Sequence, residues 1–237
     1  MKLRARVVLQ LTALFLALGG VSAFAANDGY LYIVHAIPGR DISHNSNPGL
    51  PIDVLVNGEC LIRGLTFGNT SGPFSLAAAT YNVQISPANS LAPCTNSALI
   101  DSPVSLTAGE NVSAVAAFSG GQPALLQFTD NLSAVTPGDA RFVFVNSADA
   151  PALQATLTQL YVKNPKTFTV TVNPDAQTAV SIPYGTYQVR VAAAGSATVL
   201  ASEQIGLADQ SATLTYAAGE TANNSVGLIN REIRDVF

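Results

Sequence analysis

The sequence predicts an all-β protein, made of two tandem immunoglobulin-like β-sandwich domains that follow a signal peptide. The stretch Phe74–Ile85 returns in altered form as Ser181–Val191. Turn-forming residues recur roughly every 8–12 positions, and no segment keeps a helical period over three turns. Short strands with frequent turns are typical of a β-sandwich.

The two copies of the repeat share a Thr-Tyr pair followed by strict alternation of apolar and polar residues. Alternation with a period of two predicts a strand with one buried face. Tyr81 and Tyr187 begin these strands just after a turn. This position predicts a structural role, a tyrosine corner, in which the ring packs on the core and the hydroxyl bonds to upstream backbone. The alternative is a core tyrosine whose hydroxyl meets water.

Composition excludes some classes of protein. The chain has 237 residues and a net charge of −4, with 48% hydrophobic and 11% charged residues. These values suit a folded β-rich chain, and without a basic patch we expect no nucleic-acid partner. Length and repeat together predict one domain over 26–131, a linker over 132–139 and a second domain over 140–237.

Residues 1–25 have the layout of a secretory signal peptide. Three basic residues precede the apolar run Val7–Ala17, and the small-residue motif Ala23–Ala25 follows it. A membrane anchor is the alternative, but neither this run nor any later stretch reaches the ~20 apolar residues that a spanning helix needs. We therefore expect a periplasmic or secreted protein without a transmembrane segment in its mature chain.

The chain has two cysteines, Cys60 and Cys94, both in the first predicted domain. An even number of cysteines in an exported chain predicts a disulfide rather than a metal site. Two unpaired thiols are the alternative.

The first strand of each domain is marked by its apolar residues. Tyr30–Ala36 is apolar on both faces, which predicts a position inside a sheet rather than at an exposed edge. Arg141–Asn146 repeats it in the second domain. Further strands are predicted at Ile52–Val56, Cys60–Phe67, Thr80–Ile85, Ala98–Leu106, Asn111–Phe118, Ala124–Phe128, Thr167–Val172, Tyr187–Val191, Ala197–Leu200, Ala212–Tyr216 and Ser225–Ile229.

Two further segments are predicted to lie outside the strands. Gly68–Pro73 is rich in turn residues and predicts a break in the chain before the repeat. The C-terminal residues predict a solvated tail because they are charged and do not alternate. They are Arg231, Glu232, Arg234 and Asp235.

Several motifs resemble a known family. His35–Asp41, Pro51–Gly58, Phe67-Gly68 and the Thr80–Val83 stretch resemble the bacterial exported domain of unknown function 4397. The resemblance covers 30–130 well and 140–230 more weakly. It implies an exported, often tandem, immunoglobulin-like protein, and it implies no activity because none is assigned to the family.

Histidine and acidic residues offer few candidate sites. His35 ends a strand, and its counterpart Asn146 also offers a donor and an acceptor, which favours a structural hydrogen bond over a role as ligand or base. The stretch Asp41–Asn47 has the alternating oxygens of a calcium loop but lacks its sixth-position glycine and final glutamate. A transition-metal site would need these residues to converge: His35, His44, Asp41 and Asp53. We expect no metal and no cofactor.

These observations favour a non-catalytic extracytoplasmic binding or structural module of unknown specificity. No nucleophile elbow or phosphate-binding loop occurs in the sequence. One alternative is a surface protein that binds a carbohydrate or small ligand through Tyr30, Tyr32 and the 39–51 loop. A hydrolase is a weaker alternative. The sequence identifies no partner, and a cell-envelope protein or glycan is the candidate.

Overall fold

A computed structural model of the chain describes residues 27–43 and 49–234. The predicted signal peptide lies outside these residues. In the first half the strands are β1 (Asp28–His35), β2 (Ile52–Val56), β3 (Glu59–Leu65), β4 (Thr70–Ala77), β5 (Thr80–Pro87), β6 (Ile100–Ser105), β7 (Asn111–Ser119) and β8 (Gln122–Thr129), with one short helix, α1 (Gly39–Ser43). In the second half they are β9 (Asp139–Asn146), β10 (Leu153–Gln159), β11 (Thr167–Val172), β12 (Ala176–Pro183), β13 (Gly185–Ala193), β14 (Val199–Leu207), β15 (Ala212–Ala218) and β16 (Gly227–Ile233).

Each half is a sandwich of two four-stranded sheets, and the two halves have the same topology. The inner sheets have the orders β4-β1-β7-β8 and β12-β9-β15-β16, and the outer sheets have the orders β3-β2-β5-β6 and β11-β10-β13-β14. The predicted class of two tandem all-β sandwiches is therefore confirmed. The strand order differs from that of immunoglobulin constant domains, because β1 and β9 lie second in their sheets and pair in parallel with β7 and β15.

Each sandwich has its own hydrophobic core. In the first half, alternate residues of β1 such as Leu31 and Ile33 pack against Val54 and Ile85 of the outer sheet. In the second half, Phe142 and Phe144 of β9 stack and pack against Val189 of β13. The apolar residues that alternate in the repeated segment therefore form the inward faces of β5 and β13.

The predicted break at Gly68–Pro73 is wrong, because Thr70–Ala77 forms strand β4. Turn residues fit here because β4 is an edge strand, where a proline need not donate a ladder hydrogen bond. Gly72 has a φ of 126°, and a Cβ at this position would lie 2.6 Å from the carbonyl oxygen of Leu31. Only glycine allows β4 to approach β1 this closely. Strands β10 and β12 have no counterpart among the predicted strands.

The segment predicted as a linker packs against the second half. Val135 is buried against Ala212, the first residue of β15. Arg141 donates from Nη2 to the carbonyl oxygen of Ala134 at 3.3 Å. The domain boundaries at 131 and 140 remain a prediction about independent folding units.

We expect the whole chain to unfold in a single cooperative transition, because a third hydrophobic core, described below, joins the two halves. Differential scanning calorimetry measures this directly. The fragment 27–131 would expose its part of that core and is expected to aggregate. Two separate transitions, or a monomeric and soluble fragment, would contradict the expectation.

Candidate functional site at the domain interface

The inner sheets of the two halves pack face to face and form a third core. In the first half it comprises Val34, Ala36, Val115, Ala117 and Phe128. In the second half it comprises Val143, Val145, Leu214, Tyr216, Ala218 and Ile229. The central strands of the inner sheets, β1, β7, β9 and β15, are therefore largely buried on both faces, which explains why β1 and β9 are apolar on both faces in the sequence.

A polar cluster lies at one side of this core. Arg231 of β16 forms an ion pair with Asp130, which follows β8. Ser113 of β7 donates to Asp130 Oδ1 at 2.7 Å, accepts from Arg231 Nη2 at 3.0 Å and lies 2.8 Å from the hydroxyl of Tyr216. The Asp130 side chain has no solvent exposure, and that of Arg231 is 9% exposed.

An aromatic ring covers the rest of the guanidinium group. Arg231 lies over the ring of Tyr32, with its Cζ 3.7 Å from the ring centroid. Its Nε and Nη1 atoms meet no hydrogen-bond acceptor among the described residues. The electron-rich face of Tyr32 therefore takes the place of an acceptor beside this buried cation.

Burial changes the acid–base behaviour of the cluster. It raises the pKa of Tyr216 to about 12, so the hydroxyl stays neutral and can share its proton with Ser113. It also raises the pKa of the Asp130 carboxyl, and the Arg231 guanidinium opposes part of that rise. The cluster thus balances desolvation against one charge pair and its hydrogen bonds.

The structure corrects the prediction of a solvated tail for Arg231. This residue lies in β16, between the core residue Ile229 and the partly buried Ile233. Those three residues alternate with polar neighbours, which is the sequence signal that was missed. The ion pair of Glu232 with Arg234 is exposed, as predicted for charged residues of a tail.

Backbone and loop contacts join the halves at the far end of the interface. The amide of Gly219 donates to the carbonyl oxygen of Ala36 at 3.2 Å. A Cβ on Gly219 would lie 2.5 Å from the carbonyl oxygen of Ser225, so the tight loop requires glycine. Ser225 in turn donates to Asp41 of α1 at 2.5 Å. Asp149 accepts from the amide of Gly121 at 2.6 Å.

His35 is fully buried at the end of β1. Its Nε2 atom lies 2.7 Å from the carbonyl oxygen of Leu50, and its Nδ1 atom accepts from the amide of Ile37 at 3.4 Å. Burial lowers the pKa of His35 to about 4, so the ring is neutral at pH 7. Asn146, its counterpart, donates from Nδ2 to the carbonyl oxygen of Pro151 at 3.1 Å. The structural role of His35 stays a prediction.

The two repeat tyrosines make matching contacts. Tyr81 donates to the carbonyl oxygen of Ala77 at 2.8 Å, and Tyr187 donates to that of Pro183 at 2.6 Å. Each acceptor lies four residues upstream. This is the geometry that a tyrosine corner requires, and its contribution to folding stays a prediction.

The predicted disulfide between Cys60 and Cys94 is confirmed, and a buried aspartate supports it. Asp53 is 1% exposed and accepts from the amides of Gly64, Asn89 and Cys94. The disulfide and Asp53 together hold the loop between β5 and β6 over the outer sheet. No signal in the sequence marked Asp53 for this role.

The structure does not bring the candidate metal ligands together. His35 and Asp53 face the backbone groups named above, Asp41 faces Ser225, and His44 and most of the calcium-like stretch lie outside the described residues. Across 27–43 and 49–234, no group of three or more His, Cys, Asp or Glu residues is arranged to hold a metal ion. Nor does this part of the chain contain a helix long and apolar enough to cross a membrane.

The fold and interface define a class: an all-β protein of two sandwiches fused through a shared core. The chain belongs to the family described as domain of unknown function (DUF4397), whose profile matches residues 29–156. The match covers the first sandwich and continues into β10. The predicted resemblance is confirmed.

Solved structures share only a weak likeness with the chain. The Bacillus anthracis TIE protein matches with 11% identity and a TM-score of 0.26, over 86% of this chain and 34% of its own. A Bacteroides ovatus protein proposed to function in cell adhesion matches with 10% identity and a TM-score of 0.31, over 90% of this chain and 99% of its own. The chain thus spans about a third of the TIE protein. Similarities this weak say nothing about function, and no curated protein sequence matches the chain.

We expect Asp130→Ala to destabilise the protein by about 3–5 kcal/mol, because it leaves the Arg231 guanidinium buried without a counter-charge. The exposed pair of Glu232 and Arg234 is the matched control, and Glu232→Ala is expected to change stability by less than about 1 kcal/mol. Urea unfolding monitored by circular dichroism measures both. Equal effects of the two substitutions would contradict the buried ion pair.

We expect the protein to become less stable as the pH is lowered, because His35 is buried in its neutral form. Its folded pKa of about 4 lies below the unfolded value near 6.5, so the unfolded chain binds a proton more tightly. The contribution of neutral His35 to the free energy of unfolding is full above pH ~6.5. About 3 kcal/mol of it is lost as the pH falls toward 4. His35→Asn, which copies Asn146, should remove this part of the pH dependence. Parallel stability curves for the two proteins between these pH values would refute it.

Proposed function

We propose that the chain is a non-catalytic extracytoplasmic structural or binding module, periplasmic or secreted, whose two domains over 26–131 and 140–237 act as one rigid body. The observation that carries this proposal is the third core with its Arg231–Asp130 ion pair. A shared core of this kind holds two sandwiches in one orientation, whereas a flexible linker would let them move independently.

The buried ionisable groups support a structural role. Asp130 and Arg231 face each other, His35 faces the carbonyl oxygen of Leu50, and Asp53 accepts from backbone amides. A catalytic acid or base must reach a substrate, whereas these groups are buried and already bonded to partners within the protein. Depressions in the described surface have volumes of about 280–410 Å³, at or below the lower end for small-ligand sites.

The contact with Arg231 weighs against a sugar stacking on Tyr32. Arg231 covers one face of the Tyr32 ring, and the depression that both residues line has a volume of only about 280 Å³. Contact with a cell-envelope protein or glycan is better placed on the outer sheets and their loops, which face away from the shared core.

Export and binding can be tested on the chain expressed in a bacterium. We expect intact mass spectrometry of the protein from periplasm or medium to show loss of residues 1–25, with a two-hydrogen gain on reduction of the disulfide. Immobilised mature protein should retain a defined envelope protein or glycan. Leu214→Asp, which disrupts the shared core, should lose this retention together with the folded structure.

Two results would contradict the proposal. One is an uncleaved chain that stays in the cytoplasm. The other is turnover of an ester, glycoside or peptide substrate by the purified mature chain, at a rate that follows the protein through successive purification steps.

A further inference from the structure

Two hairpin connections are much longer in the second half than in the first. One of them, 219–226 between β15 and β16, contacts the first half, and the other joins two strands of the outer sheet. Strands β2 and β3 are joined by two residues, Asn57 and Gly58, whereas the equivalent strands β10 and β11 are joined by the seven residues 160–166. A two-residue turn is enough to close such a hairpin. The additional residues are therefore not required by the sandwich, and loops of this kind commonly carry function.

The 160–166 loop carries an unusual set of side chains. Tyr161 is 84% exposed and Val162 is 44% exposed, so two large apolar residues project together into solvent. Tyr161 has a φ of 59°, a conformation that is an outlier for a bulky residue. Its hydroxyl reaches only Gln204 Oε1, at the long distance of 3.4 Å.

The loop also concentrates positive charge on an acidic protein. Three of the eleven basic residues precede residue 26, so the rest of the chain has eight basic and fifteen acidic residues. Lys163 and Lys166 are the only lysines after residue 25. Neither forms an ion pair among the described residues.

The backbone holds this loop in place. The amide of Gln159 donates to the carbonyl oxygen of Lys166 at 2.9 Å and closes the base. The amide of Leu160 donates to Thr186 at 2.8 Å, which ties the loop to β13. Tyr184, 54% exposed, lies two residues before Thr186 and adds a second aromatic ring at the same end of the sandwich.

We propose that the 160–166 loop is the contact by which this protein docks onto an anionic lipid surface. Aromatic rings favour the level of the lipid headgroups, exposed aliphatic side chains gain from the acyl boundary, and lysines are attracted to anionic headgroups. A soluble polyanion would satisfy the lysines but would offer no apolar phase to Val162. The inference rests on the proposed function, because the anionic lipid surface in question is one that a periplasmic or secreted protein meets.

Vesicle flotation of the mature, full-length protein tests this inference. We expect binding to vesicles of phosphatidylcholine mixed with phosphatidylglycerol, weaker binding to phosphatidylcholine alone, and a decrease as salt rises. Each of Lys163→Gln and Lys166→Gln should weaken binding about fivefold, which corresponds to one lysine near an anionic surface. Tyr161→Ser should also weaken binding while leaving the thermal unfolding temperature unchanged.

Matched controls lie on the first sandwich. Arg63→Gln removes one exposed positive charge, and Leu91→Ser removes a side chain that is 96% exposed, both far from the loop in sequence. Neither should affect flotation. The inference is overturned if no vesicle binds, if the controls weaken binding as much as the loop variants, or if dextran sulfate competes fully and Tyr161→Ser has no effect. Such a failure leaves the proposed function standing, because export and retention are measured separately.

Discussion

Burial of both faces of the central strands of the inner sheets is the constraint on which the rest of the structure depends. All seven residues of β15 are buried, as are seven of the nine in β7. A strand between two cores cannot alternate between apolar and polar residues, so its sequence becomes continuously apolar. Small side chains such as those of Ala117 and Ala217 allow another sheet to pack closely on each side of these strands. The four sheets therefore form a single stack with three cores.

The ion pair of Arg231 and Asp130 has a distinct role within this stack. Apolar side chains attract without direction, so an all-apolar interface between two sheets tolerates several relative positions. A buried pair is weak as a source of stability, but it is strongly unfavourable when its partners are separated. Any sliding of one inner sheet over the other would leave Arg231 without its carboxylate and Ser113. We infer that the cluster selects one orientation among those that the apolar core allows.

Much of the fold could be predicted from local patterns, whereas the interface could not. The alternation after Tyr81 and Tyr187 can be recognised from neighbouring residues. The disulfide follows from counting two cysteines in a chain predicted to be exported. The partners Arg231 and Asp130 are separated by 101 residues, and a charged residue in a short C-terminal strand resembles a tail. The continuous apolar character of Tyr30–Ala36 did indicate an enclosed strand, but it does not say what encloses it. The pairing of sheets across domains is a tertiary property that single-sequence patterns do not contain.

The two copies differ most in the loops that join their strands. In the first half a twelve-residue connection between β5 and β6 covers the outer sheet, held by Asp53 and the disulfide. The second half has Gln154 in place of Asp53, and only five residues join β13 to β14. Its long outer-sheet connection lies instead between β10 and β11, at the other end of that sheet. The inner sheets also differ in one connection, because two residues join β7 to β8 and eight, 219–226, join β15 to β16. The outer-sheet loops are the changes that face away from the shared core, so a surface that distinguishes this protein from others with the same fold is expected there, and the shared core fixes how that surface is presented.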